Sequence, residues 1–419
     1  MTLKEKLYNQ KKKTVIDVVD YATRNIPFYM KYNEKYYNDI PIVNKQVIRN
    51  NYEEFLSNSI DENYRKKIIN ILYDKNMVCK KSHNELAVME NLIFEETTGT
   101  SGIPFRIVKS KAERTQMGLY LWKLRKEVDK DVDLGNMFLF NHTGFYDINP
   151  NVYDYNVEHI IALYKDVLEK KARWIHTSIV PLREHMKILQ KENCCLEFPD
   201  LKYIELTGNY LRNDEVKAVE EFFQVEAVNM YGSMETWQIA YSLHRDKLKI
   251  CNHNVFVEII DEAGEEITEI NKVGKIVVTC LNLQLMPLIR YDTGDRGAYI
   301  YDPSEDELYI ELQEEREINF IKGIEGRKIG SKQFGNILSM ARKRCNLNDL
   351  RYIQFVQVKN NEIHIYINAF PDIGDTIETI IQITSERLNK KFNFTIIILS
   401  EKELDEKKYE KENLFICKC

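Results

Sequence analysis

The sequence predicts an α/β protein, with a large layered N-terminal α/β domain that includes a β-rich section and a smaller α+β domain after it. Three observations lead there. The 419 residues exceed the usual span of one hydrophobic core. Residues 91–245 alternate helical and short apolar segments, the pattern of helices layered on a sheet. Residues 255–321 then change to a period of two, and after GIEGRKIG at 323–330 the chain restarts with elements of its own.

In chain order, residues 1–90 read as helices and polar loops, with a helical period in LKEKLYNQKKKTVIDVVDYA and in ENYRKKIINILYDK. The alternating region contains the amphipathic REHMKILQKEN, the strand-like LKYIEL, helical RNDEVKAVEEFF and the strand-like VEAVNMYG, after which the segment beyond Glu235 reads as a helix. VFVEIID, KIVVTCL, AYIY and ELYIEL are strands separated by turn residues such as DEAGEE. The C-terminal ninety or so residues give helical FGNILSMARKRC, strands YIQFVQV and EIHIYIN, helical DTIETIIQITSERLNKK and strand FTIIIL. The boundary falls near Arg327, dividing residues 1–327 from 328–419.

Composition narrows the function classes. Charged residues make up 30% and hydrophobic residues 44%, a globular balance, and the net charge of -6 with only short basic runs argues against nucleic acid as a partner. No apolar run is long enough for a bilayer span, and the N-terminus has no apolar export segment. A soluble, cytoplasmic protein without a membrane partner is expected, its eight scattered cysteines remaining thiols. His244, Cys251 and His253 have no CxxC pair to complete a tetrahedral zinc set.

There are 16 glycines, below the average of about 7%, so the pairs Gly99/Gly102, Gly294/Gly297 and Gly323/Gly326 carry information. In IFEETTGTSGIPFRIVKS, the residues Thr97, Thr98, Gly99, Thr100, Ser101 and Gly102 offer hydroxyls and inward-turned backbone N–H groups to phosphate oxygens. This is not the GxxxxGK[ST] loop. In VNMYGSMETWQIAYSL, Tyr231 and Gly232 precede Glu235, a carboxylate of the kind that holds Mg²⁺ beside a nucleotide, with Ser233 or Glu235 as a plain helix cap in the alternative. In LMPLIRYDTGDRGAYI, Asp295 occupies a TGD turn between two strands and can accept from a ribose diol, although Asp-rich turns also form for local reasons.

In this order the three segments resemble those of the adenylate-forming superfamily of acyl-CoA synthetases, nonribosomal adenylation domains and luciferases. The likeness is greatest to its phenylacetate-CoA ligase and capsule-biosynthesis branch. IPFYMKYNEKYYNDIPIVNKQVIRNNYEEF and VFVEIIDEAGEEITEINKVGKIVVTCLNLQLMPLIRYDTGD extend the resemblance to nearly the full chain. It implies that Thr97 to Gly102 form the phosphate loop, that Tyr231 and Gly232 border adenine with Gly208 in a backbone segment on its other face, and that Ser233 lies in the nucleotide site. It further implies Glu235 as the Mg²⁺ ligand, Asp295 on the ribose, Arg327 at the hinge of a mobile small domain, and a catalytic lysine near the C-terminus. Aligning LFICKC with the family's last strand places Lys411 there, with Lys407 and Lys408 as rivals.

The sequence departs from the family pattern at three places. Ile103 replaces a lysine, Met234 replaces a hydroxyl residue before the glutamate, and no aspartate follows Arg327 closely. The resulting expectation is an ATP- and Mg²⁺-dependent ligase that activates a small carboxylic acid as its acyl-adenylate and passes the acyl group to CoA, a carrier-protein thiol or an amine. Its rivals are a non-catalytic ATP- or AMP-binding module and a phosphotransferase.

Overall fold

The computed structural model describes residues 15–32, 37–73, 91–97, 105–139, 156–194, 196–208, 210–244, 247–313, 320–322, 328–330, 350–369, 378–379, 381–382, 393–400, 403 and 415–417. The chain forms two compact units. One comprises Met1–Ile69, Cys79–Phe94 and Val108–Gln313, and the other Asn70–Val78, Glu95–Ile107 and Glu314–Cys419. The expected boundary at Arg327 lies outside the described residues.

Among the described residues, α-helices come first: α1 (Ile16–Asn25), α2 (Pro27–Met30), α3 (Lys45–Arg49), α4 (Tyr52–Phe55) and α5 (Glu62–Tyr73). Strands β1 (Leu92–Thr97) and β2 (Phe105–Ser110) form a two-stranded sheet. Helix α6 (Lys111–Val128) starts directly after β2 because Ser110 and Glu113 make a reciprocal capping box.

The first unit is built on a ten-stranded sheet. Its strands are β3 (Met137–Leu139), β4 (Trp174–Thr177), β5 (Tyr203–Thr207), β6 (Glu226–Ser233), β7 (Trp237–His244), β8 (Lys247–Ile250), β9 (Val255–Ile260), β10 (Gly274–Cys280), β11 (Tyr291–Asp302) and β12 (Glu307–Leu312). The order is β3-β4-β5-β6-β7-β8-β12-β11-β10-β9. From β3 to β6 the pairing is parallel, and the connections are helices α7 (Val157–Glu169), α8 (Ile179–Lys191) and α9 (Asn213–Phe223). From β6 onward every pairing is antiparallel.

Alternation along the strands sends side chains to two faces. Ile175, Ile204, Leu206 and Ala227 pack with α7, α8 and α9. Trp174, Tyr203, Val228 and Tyr241 pack instead with Leu121, Trp122 and Leu124 of α6. Helices therefore cover both faces, which is the layered α/β arrangement that the alternating sequence predicts.

On the α6 face lies a fully buried carboxylate, Glu205. It accepts from Arg125 Nε at 2.9 Å and from Nη2 at 2.6 Å, from Tyr241 Oη at 2.7 Å, and pairs with His176 Nδ1 at 2.7 Å. The Arg125 guanidinium stands 4.7 Å from the ring centroid of Trp174 and 5.0 Å from that of Trp122. Burial alone would push the Glu205 carboxyl up, but Arg125 and His176 outweigh it and hold it well below the usual carboxylate range.

In the second unit β13 (Phe320–Lys322) pairs with β14 (Lys328–Gly330). A four-stranded sheet has the order β17-β16-β15-β18, formed by β15 (Leu350–Lys359), β16 (Glu362–Ala369), β17 (Asn393–Ile398) and β18 (Phe415–Cys417). These are the strands expected at YIQFVQV, EIHIYIN, FTIIIL and LFICKC. Phe355, Val356, Ile363, Ile365 and Ile367 are buried on them. The helix expected at FGNILSMARKRC lies outside the described residues. Among those that are described, no helix is long and apolar enough to cross a membrane.

Candidate active site

The site is assembled at the carboxyl ends of the parallel strands, where open α/β sheets hold their ligands. Gly208 directly follows β5, and its φ of +81° is left-handed and suits glycine. β6 carries Tyr231, Gly232 and Ser233 to its end, and a three-residue turn leads into β7. The helix expected after Glu235 is a strand instead. WQIAYSLH alternates Trp237, Ile239, Tyr241 and Leu243 with Gln238, Ala240, Ser242 and His244, a period of two that suits a strand, and β7 is pinned by Asn254, whose Nδ2 donates to the carbonyls of Thr236 and Gln238 at 2.8 and 2.7 Å.

Gly232 is required by that hairpin, since a Cβ there would stand 1.9 Å from the Trp237 carbonyl oxygen. Ser233 caps no helix. Its Oγ accepts from Thr236 N at 3.2 Å and lies 2.9 Å from Thr236 Oγ1, closing the turn. Lys109, fully buried on β2, donates from Nζ to the Met234 carbonyl at 2.6 Å. The turn leaves the Met234 side chain 45% exposed and Glu235 only 1% exposed.

Glu235 Oε1 accepts from Tyr291 Oη at 2.7 Å and pairs with Lys45 Nζ at 2.9 Å. Its other oxygen, Oε2, is buried and has no hydrogen-bond partner. Burial pushes this carboxyl up, but Lys45 and the Tyr291 hydroxyl prevail and lower it below its ordinary value. An ionised carboxylate with an unused oxygen is the hard ligand that Mg²⁺ accepts, so Glu235 fits one position of its coordination sphere. Among the described residues no three His, Cys, Asp or Glu side chains gather as a metal set. Cys251 is buried, and burial pushes its thiol up, while His253 stacks on Tyr120.

Asp295 does not occupy a turn between two strands but a bulge within one. Asp292 faces Val277 and Arg296 faces Lys275, so Thr293, Gly294 and Asp295 together oppose Ile276. Gly294 takes a φ of +81° and donates its N–H to Asp292 Oδ1 at 2.8 Å. Thr293 Oγ1 donates to the Ile276 carbonyl at 2.9 Å and accepts from Asp295 N at 3.1 Å, which orients the half-buried aspartate. Tyr231 Oη donates to Asp295 Oδ2 at 3.0 Å. Burial, and next the Asp295 charge, raise the Tyr231 phenol well above its usual value, so it stays a donor. Burial also raises Asp292.

The fold thus brings Tyr231, Gly232, Ser233, Glu235 and Asp295 to neighbouring positions, with Gly208 directly after the adjacent strand β5. Thr97 closes β1, while Thr98, Gly99, Thr100, Ser101, Gly102, Arg327 and Lys411 lie outside the described residues. Two contributors were missed by sequence reasoning. Tyr291 lies within LMPLIRYDTGDRGAYI, where nothing local identifies a partner for its phenol. Lys45 follows Asn44, whose helix-capping position was a visible signal, but nothing local links that lysine to Glu235.

No protein-family model matches the sequence, and no curated protein matches it significantly. Solved structures do match. 2-Hydroxyisobutyryl-CoA ligase in complex with 2-HIB-AMP and CoA in the thioesterification state superposes with a TM-score of 0.58 at 13% identity, over 99% of this chain and 89% of that one. The same ligase in the postadenylation state with 2-HIB-AMP gives a TM-score of 0.54 at 12% identity, over 92% of this chain and 84% of that one. At these identities the likeness establishes the fold alone: this chain has the fold of the solved 2-hydroxyisobutyryl-CoA ligase.

Proposed function

We propose that the chain is an ATP-dependent, carboxylate-activating ligase. The observation that carries this reading is the joint placement of Glu235 with an unused buried oxygen and of Asp295 oriented by Tyr231, at the strand ends of a fold shared with a ligase solved with an acyl-AMP and CoA. The sequence resemblance to the phenylacetate-CoA ligase and capsule-biosynthesis branch, and a cytoplasmic place of work, belong to the same proposal.

In the first half-reaction a carboxylate oxygen of a small acid attacks the α-phosphorus of ATP, and the bond to pyrophosphate breaks. Asp295 holds the ribose hydroxyls, Tyr231, Gly232 and Gly208 border the adenine, Ser233 belongs to the nucleotide-binding residues, and Thr97 to Gly102 cradle the phosphates. Arg327 contacts ribose or phosphate, and Lys411 bridges the carboxylate and the α-phosphate. Mg²⁺ bound at Glu235 would supply charge neutralisation on the phosphate oxygens. In the second half-reaction a thiol or amine attacks the acyl carbon and AMP leaves. CoA is the acceptor supported by the solved ligase complex, and carrier-protein thiols and amines are compared with it experimentally. Residues 1–327 would form the adenylation domain and 328–419 the mobile small domain.

Acid-dependent exchange of labelled pyrophosphate into ATP is the expected activity, because adenylate formation reverses while the intermediate stays bound. It should require Mg²⁺. ATP binding in calorimetry without exchange across a broad panel of carboxylic acids would replace the ligase with a nucleotide-binding module, and release of ADP would replace it with a phosphotransferase.

Asp295→Ala should weaken ATP binding through the loss of charge-assisted hydrogen bonds, each worth about 1.5–3 kcal/mol. The substitution also strips Tyr231 of its acceptor, so Tyr231→Phe is the control. It removes the internal bond and keeps the carboxylate, and its ATP affinity should stay closer to the unmodified protein's. Equal ATP affinity in Asp295→Ala and the unmodified protein would leave the bulge a purely structural feature.

A further inference from the structure

We infer that Lys45 is a built-in counter-cation that occupies Glu235 before a divalent metal arrives and competes with that metal for the carboxylate. The inference rests on the reading of Glu235 as a metal ligand. Lys45 is not a loosely tethered surface lysine. The residue two before it, Val43, adds to β11: its N–H donates to the Arg290 carbonyl at 3.0 Å and its carbonyl accepts from Asp292 N at 2.8 Å. Asn44 then caps α3 by accepting from Val47 N at 3.0 Å. Lys45 is therefore the first residue of a helix anchored beside Tyr291, whose hydroxyl shares Glu235 Oε1 with the lysine ammonium.

The two partners differ in freedom. The Glu235 side chain is 1% exposed and the Lys45 side chain 35%. A buried carboxylate cannot reach water for solvation, and leaving it without a counter-charge is costly. The partly exposed lysine is the partner with access to solvent. The oxygen that Lys45 does not touch, Oε2, is buried and has no hydrogen-bond partner, so a cation that reaches the carboxylate finds one oxygen not already shared with the ammonium. Exchange of one cation for another is then a local event. While Lys45 remains, the metal meets a carboxylate whose charge is already compensated, and its affinity is lowered accordingly.

The test uses the full chain with α,β-methylene-ATP and Mn²⁺, free Mn²⁺ being followed by electron paramagnetic resonance. Lys45→Met should tighten Mn²⁺ binding by roughly tenfold or more, as expected when a unit charge a few ångströms from the ligand is removed. Lys45→Arg, which keeps the charge, should stay near the unmodified protein and controls for damage to the helix. Adding Glu235→Gln to Lys45→Met should abolish the gain. If Lys45→Met binds Mn²⁺ no more tightly than the unmodified protein while Glu235→Gln weakens binding, the competition is refuted and Glu235 keeps its role. If Glu235→Gln leaves Mn²⁺ binding unchanged in both backgrounds, Glu235 is no metal ligand, and both readings fall.

Discussion

Glu205→Ala is expected to destabilise the first unit by about 3–5 kcal/mol, the usual consequence of removing one partner from a buried ion pair. Glu205 is fully buried and serves as acceptor for Arg125, Tyr241 and His176 together. Its removal leaves the Arg125 guanidinium, itself buried, facing Trp174 and Trp122 without an anion. Because an unpaired charge costs more than the pair contributes, a double variant with Arg125→Met and Glu205→Leu should recover part of the loss. The pH dependence follows from the depressed carboxyl. A group whose folded value lies below its unfolded value stabilises the fold above the unfolded value, about 4.3 for glutamate, and that stability is lost as pH falls through the folded value. The gap between the unmodified protein and Glu205→Ala should therefore be constant near neutrality and narrow below about pH 4.3. Urea unfolding followed by tryptophan fluorescence reads both. A gap under about 1 kcal/mol at neutral pH would mark the network as energetically idle.

That network also shows where sequence reading stops. LKYIEL was legible as a strand because its apolar residues and flanking turns have the right spacing, and β5 is indeed Tyr203–Thr207. What Glu205 does there was not legible, since its partners stand 80, 29 and 36 residues away in the chain. The same holds at the candidate site. Tyr231, Gly232, Glu235 and Asp295 stood out as motifs, and the fold places them together. Yet the reason Gly232 is glycine lies in the close approach of the Trp237 carbonyl, and the cation on Glu235 comes from Lys45, 190 residues earlier in the chain. The TGD segment was legible as an irregularity, but its exact form was not. A bulge and an inter-strand turn use the same glycine and aspartate, and only the pairing with β10 distinguishes them. At WQIAYSLH the alternation of Trp237, Ile239, Tyr241 and Leu243 with Gln238, Ser242 and His244 was a legible strand signal, and the expectation of a helix passed over it.

Lys411→Ala is expected to slow adenylation by about 10²–10³-fold while acyl transfer from a supplied acyl-adenylate stays near the unmodified rate. Lys411 lies outside the described residues, and the expectation rests on its position four residues before β18, the last strand of the four-stranded sheet. In the proposed reaction negative charge gathers on the α-phosphate as the carboxylate attacks, and a positioned ammonium lowers that barrier. The second half-reaction breaks the bond between acyl carbon and AMP oxygen, and it needs an acceptor group at the acyl carbon more than a cation between acid and phosphate. The two rates therefore separate the role of the lysine from the integrity of the small domain. Synthetic acyl-adenylate with CoA measures transfer alone, and ATP-driven turnover with the free acid measures both steps. Parallel loss in the two assays would indicate a damaged small domain. Unchanged rates in both would remove Lys411 from the mechanism, leaving Lys407 and Lys408 as the next substitutions. By the sequence resemblance alone, Glu410 takes the place of a glycine next to the lysine, so Glu410→Gly offers an internal check. If the ammonium of Lys411 is the one that bridges carboxylate and phosphate, freeing the backbone beside it should alter adenylation and leave transfer unchanged.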